Sequence, residues 1–254
     1  MQEARRGPAG SWVRTGALFL ARLSDFAVPH LCLNCLEPAE FSEHPALCAA
    51  CADTRWKKAR CHRCGDRCHP DERARGRCYR CRSLSLPYTS LQTLGAYRQW
   101  LRKAILLWKF HQDELALDWL RKAALNFERR KEDGRAVISY IPSHPARIRA
   151  RGGHGQHLPR MLAELARAWR LPVVELFDKK LTPAPQVELS GARRREAVAG
   201  TLDLRLEEHR AQTLYLFDDV WTTGSTMREA CRALKAAGVG TVHACAFAMT
   251  TLDL

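Results

Sequence analysis

The chain has 254 residues, enough for one or two domains with a real core, and its 41 Lys+Arg against 27 Asp+Glu give a net charge of +14. No stretch approaches the roughly 20 apolar residues that span a bilayer, and Ala17–Ala21, held between Arg14 and Arg22, is too short for the core of a signal peptide. A cytoplasmic location with no transmembrane segment is therefore expected. The positive excess is concentrated. Residues 55–82 carry eleven basic and three acidic residues, and residues 141–200 eleven and five. Patches of this sign favour phosphate-rich partners such as nucleic acid, polyphosphates or a pyrophosphate leaving group, although solvated arginine accounts for them equally well.

In chain order, residues 11–26 space Trp12, Leu18, Phe19, Leu23 and Phe26 along one face of a short helix, closed by Pro29. Nine of the eleven cysteines then fall between Cys32 and Cys81. Eight of them form C-x-x-C pairs: Cys32/Cys35, Cys48/Cys51, Cys61/Cys64 and Cys78/Cys81. In a reducing compartment such pairs read as metal ligands. Twelve residues separate Cys35 from Cys48 and thirteen separate Cys64 from Cys78, so each half can close a tetrahedral tetrathiolate zinc site. Spacing alone does not say which pairs share a metal, because ribbons can interleave, or whether Cys68, His62 or His69 takes part. A structural zinc supplies on the order of 10 kcal/mol of folding free energy to a segment this short and polar. Four thiolates leave no open coordination position, so the expected role is architectural, presenting the basic run to a partner.

Residues 83–87 mark a change to a mixed α/β pattern. A strand is expected at Leu91–Tyr97, helices at Arg98–Phe110 and at about Glu114–Arg130, and Lys109 reads first as a solvated helix-end lysine. Ala136–Ser143 is a second apolar strand. The arginines that follow it, Arg147, Arg149 and Arg151, would lie at the carboxyl edge of a parallel sheet as a clamp for an anionic group. A helix at Leu158–Arg170 and a strand at Val173–Phe177 come next. Lys179–Ala192 has no periodicity and leads into Arg193, Arg194 and Arg195, the composition of a basic lid. Cys231 and Cys245 read as small buried residues of the last helix and strand, the latter at Thr241–Met249.

The stretch LYLFDDVWTTGST, Leu214–Thr226, organises the rest. Leu214–Phe217 reads as a strand buried on both faces, followed by Asp218 and Asp219, a hydroxyl-rich turn (Thr222, Thr223, Gly224, Ser225, Thr226) and an amphipathic helix. Amides and hydroxyls at a helix start suit a phosphate monoester. Adjacent carboxylates suit the hydroxyls of a sugar, or a Mg²⁺ that keeps part of its water shell. The ligand so described has a phosphate at one end and a diol or metal at the other, about one ribose apart.

This order resembles the phosphoribosyl pyrophosphate signature of the type I phosphoribosyltransferases, with Trp221 bulkier than the aliphatic residue usual there. Together with the four cysteine pairs, LLWKF around Lys109, IPSHPARIRARG (Ile141–Gly152) and APQVELSGARRR (Ala184–Arg195), the chain resembles the ComF family, also described as GntX-like double-zinc-ribbon phosphoribosyltransferases. Arg151–His157 runs two residues longer than that pattern, and Ala197 stands where Asn is common. The resemblance implies an α/β fold: a type I phosphoribosyltransferase-like, mainly parallel sheet flanked by helices, behind an N-terminal zinc-ribbon module whose metal is held by four cysteines. It divides the chain into an N-terminal helical segment (1–29), a double zinc ribbon (30–83) and a phosphoribosyltransferase-like domain (84–254). It further implies phosphoribosyl pyrophosphate with Mg²⁺, Asp218 and Asp219 as the catalytic acids, Thr222–Thr226 as the phosphate loop, and Arg147, Arg151, Arg194 and Lys109 as pyrophosphate contacts. The family's role lies in competence, meaning DNA uptake, or in the use of external DNA, with single-stranded DNA and uptake proteins as partners. A nucleic-acid adaptor without turnover and a nucleotide-salvage transferase are the competing readings.

Overall fold

A computed structural model of the chain describes residues 32, 35, 37, 48, 60–130, 135–143, 145–150, 157–179, 202–204 and 212–250. The helix expected at residues 11–26 lies outside the described residues, as does the lid expected over Lys179–Arg195 except for Lys179, which ends a short strand. The chain divides into two compact units, 1–53 and 54–254. Among the described residues no helix is long and apolar enough to cross a membrane.

Unit 54–254 is a parallel α/β sheet flanked by helices. Four strands, β1 (Ser90–Ala96), β2 (Ala136–Tyr140), β5 (Thr213–Trp221) and β6 (Thr241–Met249), lie in the order β1-β6-β5-β2, every neighbouring pair parallel. A parallel sheet needs helical crossovers, and these cover both of its faces. On one face pack α3 (Gln99–Leu106), α4 (Glu114–Ala124) and α6 (Leu158–Trp169), whose Leu101, Ile105, Leu117, Leu120, Met161 and Leu165 meet Tyr215, Phe217 and Phe247 of the sheet. On the other, α7 (Ser225–Ala236) lays Met227, Ala230, Cys231 and Leu234 against Leu214, Leu216, Val242 and Ala244. From Leu214 to Phe217 odd positions of β5 face one core and even positions the other, as a strand buried on both sides requires, and the parity reverses at Val220 and Trp221. Cys231 and Cys245 are fully buried, as expected.

Local signals set the helix limits. The Asp113 carboxylate accepts the Ala116 amide at 2.8 Å to cap α4, and Pro159 opens α6, which Arg170 ends in the left-handed region. The strand expected at Val173–Phe177 does not form as a sheet member. Val173 makes an isolated parallel bridge to Ile138, after which Leu176 and Phe177 turn into the second core, and β3 (Phe177–Lys179) pairs antiparallel with β4 (Leu202–Leu204). Burying two large apolar side chains outweighs continuing an edge ladder.

The second cysteine knuckle belongs to this same unit. It carries two short helices, α1 (Pro70–Ala74) and α2 (Tyr79–Arg82), and its His62 carbonyl accepts the Leu91 amide of edge strand β1 at 3.0 Å. This bond occupies the Leu91 amide, one of the donors that edge strand β1 would otherwise offer to another chain. Gly65 makes the approach feasible: a Cβ there would lie 2.7 Å from Met249 Cε and 2.8 Å from Leu91 Cδ2.

Candidate functional site

β5 does not end before the acidic pair, as its apolar run predicts. It continues through Asp218 and Asp219 to Trp221, still in register with β6, Trp221 lying opposite Met249. The consequence is geometric, because consecutive strand residues face opposite ways. Asp219 follows Tyr215 and Phe217 toward the layer of α3, α4 and α6, where it is buried. Asp218 turns the other way, is half-buried, and its Oδ1 accepts the Asp219 amide at 2.8 Å. The two acids therefore do not form a common claw.

Asp219 is met by two side chains from distant elements. Its Oδ2 forms an ion pair with Lys109 Nζ and lies 2.9 Å from His157 Nε2. The three side chains are only 15% (Lys109), 12% (Asp219) and 10% (His157) exposed. Lys109 is thus no solvated helix-end residue. It lies in a single π-helical turn, Leu107–His111, which follows α3 and ends at left-handed Gln112. Such turns insert one extra residue and re-aim the side chains around them. His157 precedes α6, and its Nδ1 lies 3.2 Å from Ser143 Oγ just beyond β2. A ring nitrogen facing a carboxylate carries the proton, so Nε2–H donates to Asp219 while Ser143 fixes the other edge of the ring. Burial by itself pushes the Asp219 carboxyl up, but the His157 hydrogen bond and the Lys109 charge outweigh it and hold the group well below the usual carboxylate range.

Beyond Trp221 the chain forms the turn at residues 222–224 and enters α7 at Ser225. Thr222 and Thr223 are exposed, and Thr223 Oγ1 lies 2.8 Å from Ser225 Oγ. The N-cap residue, Gly224, offers no side chain, and the Ser225 amide donates to Thr223 Oγ1 at 3.4 Å, so the first amides of the helix are directed at this turn. Gly224 holds φ at 70°, and a Cβ on it would collide with the Trp221 ring. The bulky Trp221 has a place: its ring is covered by Gly224, meets Tyr88 edge-on at 5.8 Å, and carries the Arg228 guanidinium 5.6 Å from its centre. Arg228 also donates to the Thr223 carbonyl, tying the turn to the helix.

The other sites expected from sequence fall differently. Arg147 lies in helix α5 (Pro145–Ala150), though its side chain is not described, and Arg151 and Arg194 lie outside the described residues. His157 is the residue that sequence reading passed over. The available signal was positional, since the residue just before the helix that follows β2 must fall at the carboxyl edge of a parallel sheet, where such folds bind ligands.

The cysteines group in sequential halves. Cys61, Cys64, Cys78 and Cys81 converge, as do Cys32, Cys35 and Cys48, while Cys51 lies outside the described residues. Sulfur separations of 3.7 Å (Cys61–Cys81), 3.6 Å (Cys64–Cys78), 3.8 Å (Cys78–Cys81) and 3.7 Å (Cys35–Cys48) match the edge of about 3.8 Å that Zn–S bonds of about 2.3 Å give a tetrahedron. These groups fit zinc. His69 serves instead as the cap of α1, its Nδ1 accepting the Asp71 amide at 3.4 Å, and Cys68 packs beside the four thiols without joining them. Among the described residues these two are also the sole places where three or more metal-ligating side chains converge. A Mg²⁺ held directly by Asp218 and Asp219 does not fit, because the acids face apart and the Asp219 Oδ2 is already occupied.

A cleft of about 440 Å³ is lined by Arg63, Arg75, Arg77, Tyr88 and Lys235 among others. Arg63 Nη2 donates to the Leu86 carbonyl at 3.1 Å, whereas its Nη1 is buried with no partner among the described residues.

No protein-family model matches this chain, and no curated protein matches it. Among solved structures, it aligns with the crystal structure of adenine phosphoribosyltransferase from Leishmania tarentolae at 13% identity and a TM-score of 0.28, over 58% of this chain and 80% of that one.

Proposed function

We propose that unit 54–254 binds phosphoribosyl pyrophosphate, or a closely related sugar phosphate, and is a ComF-like phosphoribosyltransferase. The observation that carries this reading is the placement of Asp219 near the end of a central parallel strand, six residues before the start of α7 at Ser225. A phosphate at the hydroxyl-rich turn takes the amides of Ser225 and Thr226 together with the Thr222 and Thr223 hydroxyls. The sugar then extends back over the strand end, with a ribose hydroxyl donating to Asp219 Oδ1. Departure of pyrophosphate leaves an oxocarbenium-like centre that fixed negative charge stabilises. Arg147, Arg151 and Arg194 are the cations proposed to receive the leaving group. No acid stands at Thr222 to serve as a base toward an acceptor. Placement in DNA uptake or in the use of external DNA rests on the ComF resemblance alone.

Isothermal titration with phosphoribosyl pyrophosphate tests the reading. Binding should weaken by about 10- to 100-fold in Asp219→Asn, the range expected when a charged hydrogen-bond acceptor is neutralised. Pyrophosphate release, screened over nucleobases and ammonia, should vanish in the same variant. A wild-type chain that binds none of the ligand overturns the proposal.

The arginine-lined cleft, with its buried unpartnered Arg63 nitrogen, favours a second reading: a nucleic-acid adaptor that keeps the fold without turnover. Its signature is salt-dependent binding of single-stranded DNA that is weakened by Arg75→Ala and Arg77→Ala and untouched by Asp219→Asn.

A further inference from the structure

From the ion cluster at Asp219 we infer that this site works without a protein-bound divalent cation, the Lys109 ammonium occupying the position beside Asp219 that a Mg²⁺ would otherwise take. The inference rests on the reading of this sheet edge as the sugar end of a sugar-phosphate site, and it names the ionic requirement of that site.

Three observations converge on it. The Asp219 Oδ2 accepts from both Lys109 and His157, so a metal could reach that oxygen only by displacing a charged partner from a nearly dry environment. Asp218, the other acid available, faces away and already accepts the Asp219 amide, so no second carboxylate completes a coordination shell. Mg²⁺ demands near-octahedral oxygen coordination and gives up water reluctantly, whereas an ammonium needs one good acceptor and reaches it on a flexible stem. The backbone is shaped for this arrangement. The π-helical turn at Leu107–His111 carries Lys109, and the Ser143 contact to His157 Nδ1 holds the imidazole on the same oxygen. A lysine also leaves Asp219 Oδ1 to a ribose hydroxyl, while its own positive charge stands close to any bound diphosphate. Lys109 and His157 are therefore positioning residues that keep the acid ionised, aimed and desolvated before ligand arrives.

The test has two arms on the full, zinc-loaded chain. In the first, thermal unfolding of the ligand-free protein is followed with and without millimolar Mg²⁺. Wild-type Tm should not respond to Mg²⁺. Lys109→Ala, which leaves a buried carboxylate short of its cation, should lower Tm by on the order of 5–10 °C, with partial recovery in Mg²⁺. Lys109→Arg should retain the wild-type insensitivity, and if Lys109→Ala does not fold, Lys109→Gln carries the comparison. In the second arm, phosphoribosyl pyrophosphate is titrated in EDTA and in Mg²⁺. Wild-type affinity should be similar in the two buffers, and Lys109→Ala should lose at least about tenfold in EDTA and regain part of it in Mg²⁺. A wild-type Tm that rises with Mg²⁺ and loses that rise in Asp219→Asn overturns the inference, as does wild-type binding that requires Mg²⁺. Absence of ligand binding in both buffers defeats the sugar-phosphate reading instead, and the first arm then still decides what stands beside Asp219.

Discussion

Trp221 and Gly224 show how a departure from a motif is absorbed one residue at a time. The indole fills the space over Gly224, at the distance where any Cβ would collide, and the left-handed φ of 70° excludes most side chains independently. Gly224→Ala should therefore destabilise the chain by about 2 kcal/mol or more, from strain and overlap together. Thermal denaturation should show it, and Trp221→Leu combined with Gly224→Ala should recover part of the loss by removing the overlap; equal destabilisation in the single and double variants would show that the ring contact is not the cause. The turn's glycine and hydroxyls were legible in the residue string because each has a local reason. The division of labour between Asp218 and Asp219 was not, since two adjacent acids look equivalent until the strand pleat sends them to opposite faces.

At the scale of elements, the second cysteine knuckle is part of how the sheet ends. Its Gly65 turn packs between Leu91 and Met249, and its backbone pairs with β1 through the His62 carbonyl. Zinc binding by Cys61, Cys64, Cys78 and Cys81 is thus expected to stabilise β1 as well as the knuckle. The intact chain should carry two zinc ions by elemental analysis, and Cys78→Ser should lose one of them. In that variant the Leu91 amide should exchange with deuterium much faster than in wild type, while amides of β5 stay protected. Unchanged exchange at Leu91 would mean that the metal does not support the edge strand. The C-x-x-C spacing made the ligands readable, and the sulfur geometry decided that the halves are sequential. The π-helical turn had no such signature: LLWKF has ordinary helical spacing, and one inserted residue becomes visible only when the following turn is fixed by packing.

On the scale of the whole molecule, Asp219 joins β5, the turn after α3, the start of α6 and the segment after β2 through one carboxylate, so its ionisation bears on global stability. In the folded chain this carboxyl is held below its ordinary value of 3.8. The folded state therefore binds fewer protons than the unfolded one in that range. The resulting stability is fully present above the ordinary value and is lost as the pH falls below it toward the folded pKa. The difference in unfolding free energy between wild type and Asp219→Asn should be constant near neutral pH and shrink from about pH 4 downward; a difference that persists unchanged into strong acid would refute the linkage. The amino-acid sequence by itself determined the parallel α/β character, the grouping of the cysteines and the acid–hydroxyl–helix order of the strand-to-helix unit, because each depends on neighbours a few residues apart and on side-chain chemistry. Only the tertiary structure decided that Lys109 and His157 meet Asp219, 110 and 62 residues apart in sequence. Contacts of that range depend on which crossover returns to which edge of the sheet, and no local pattern of residues encodes that.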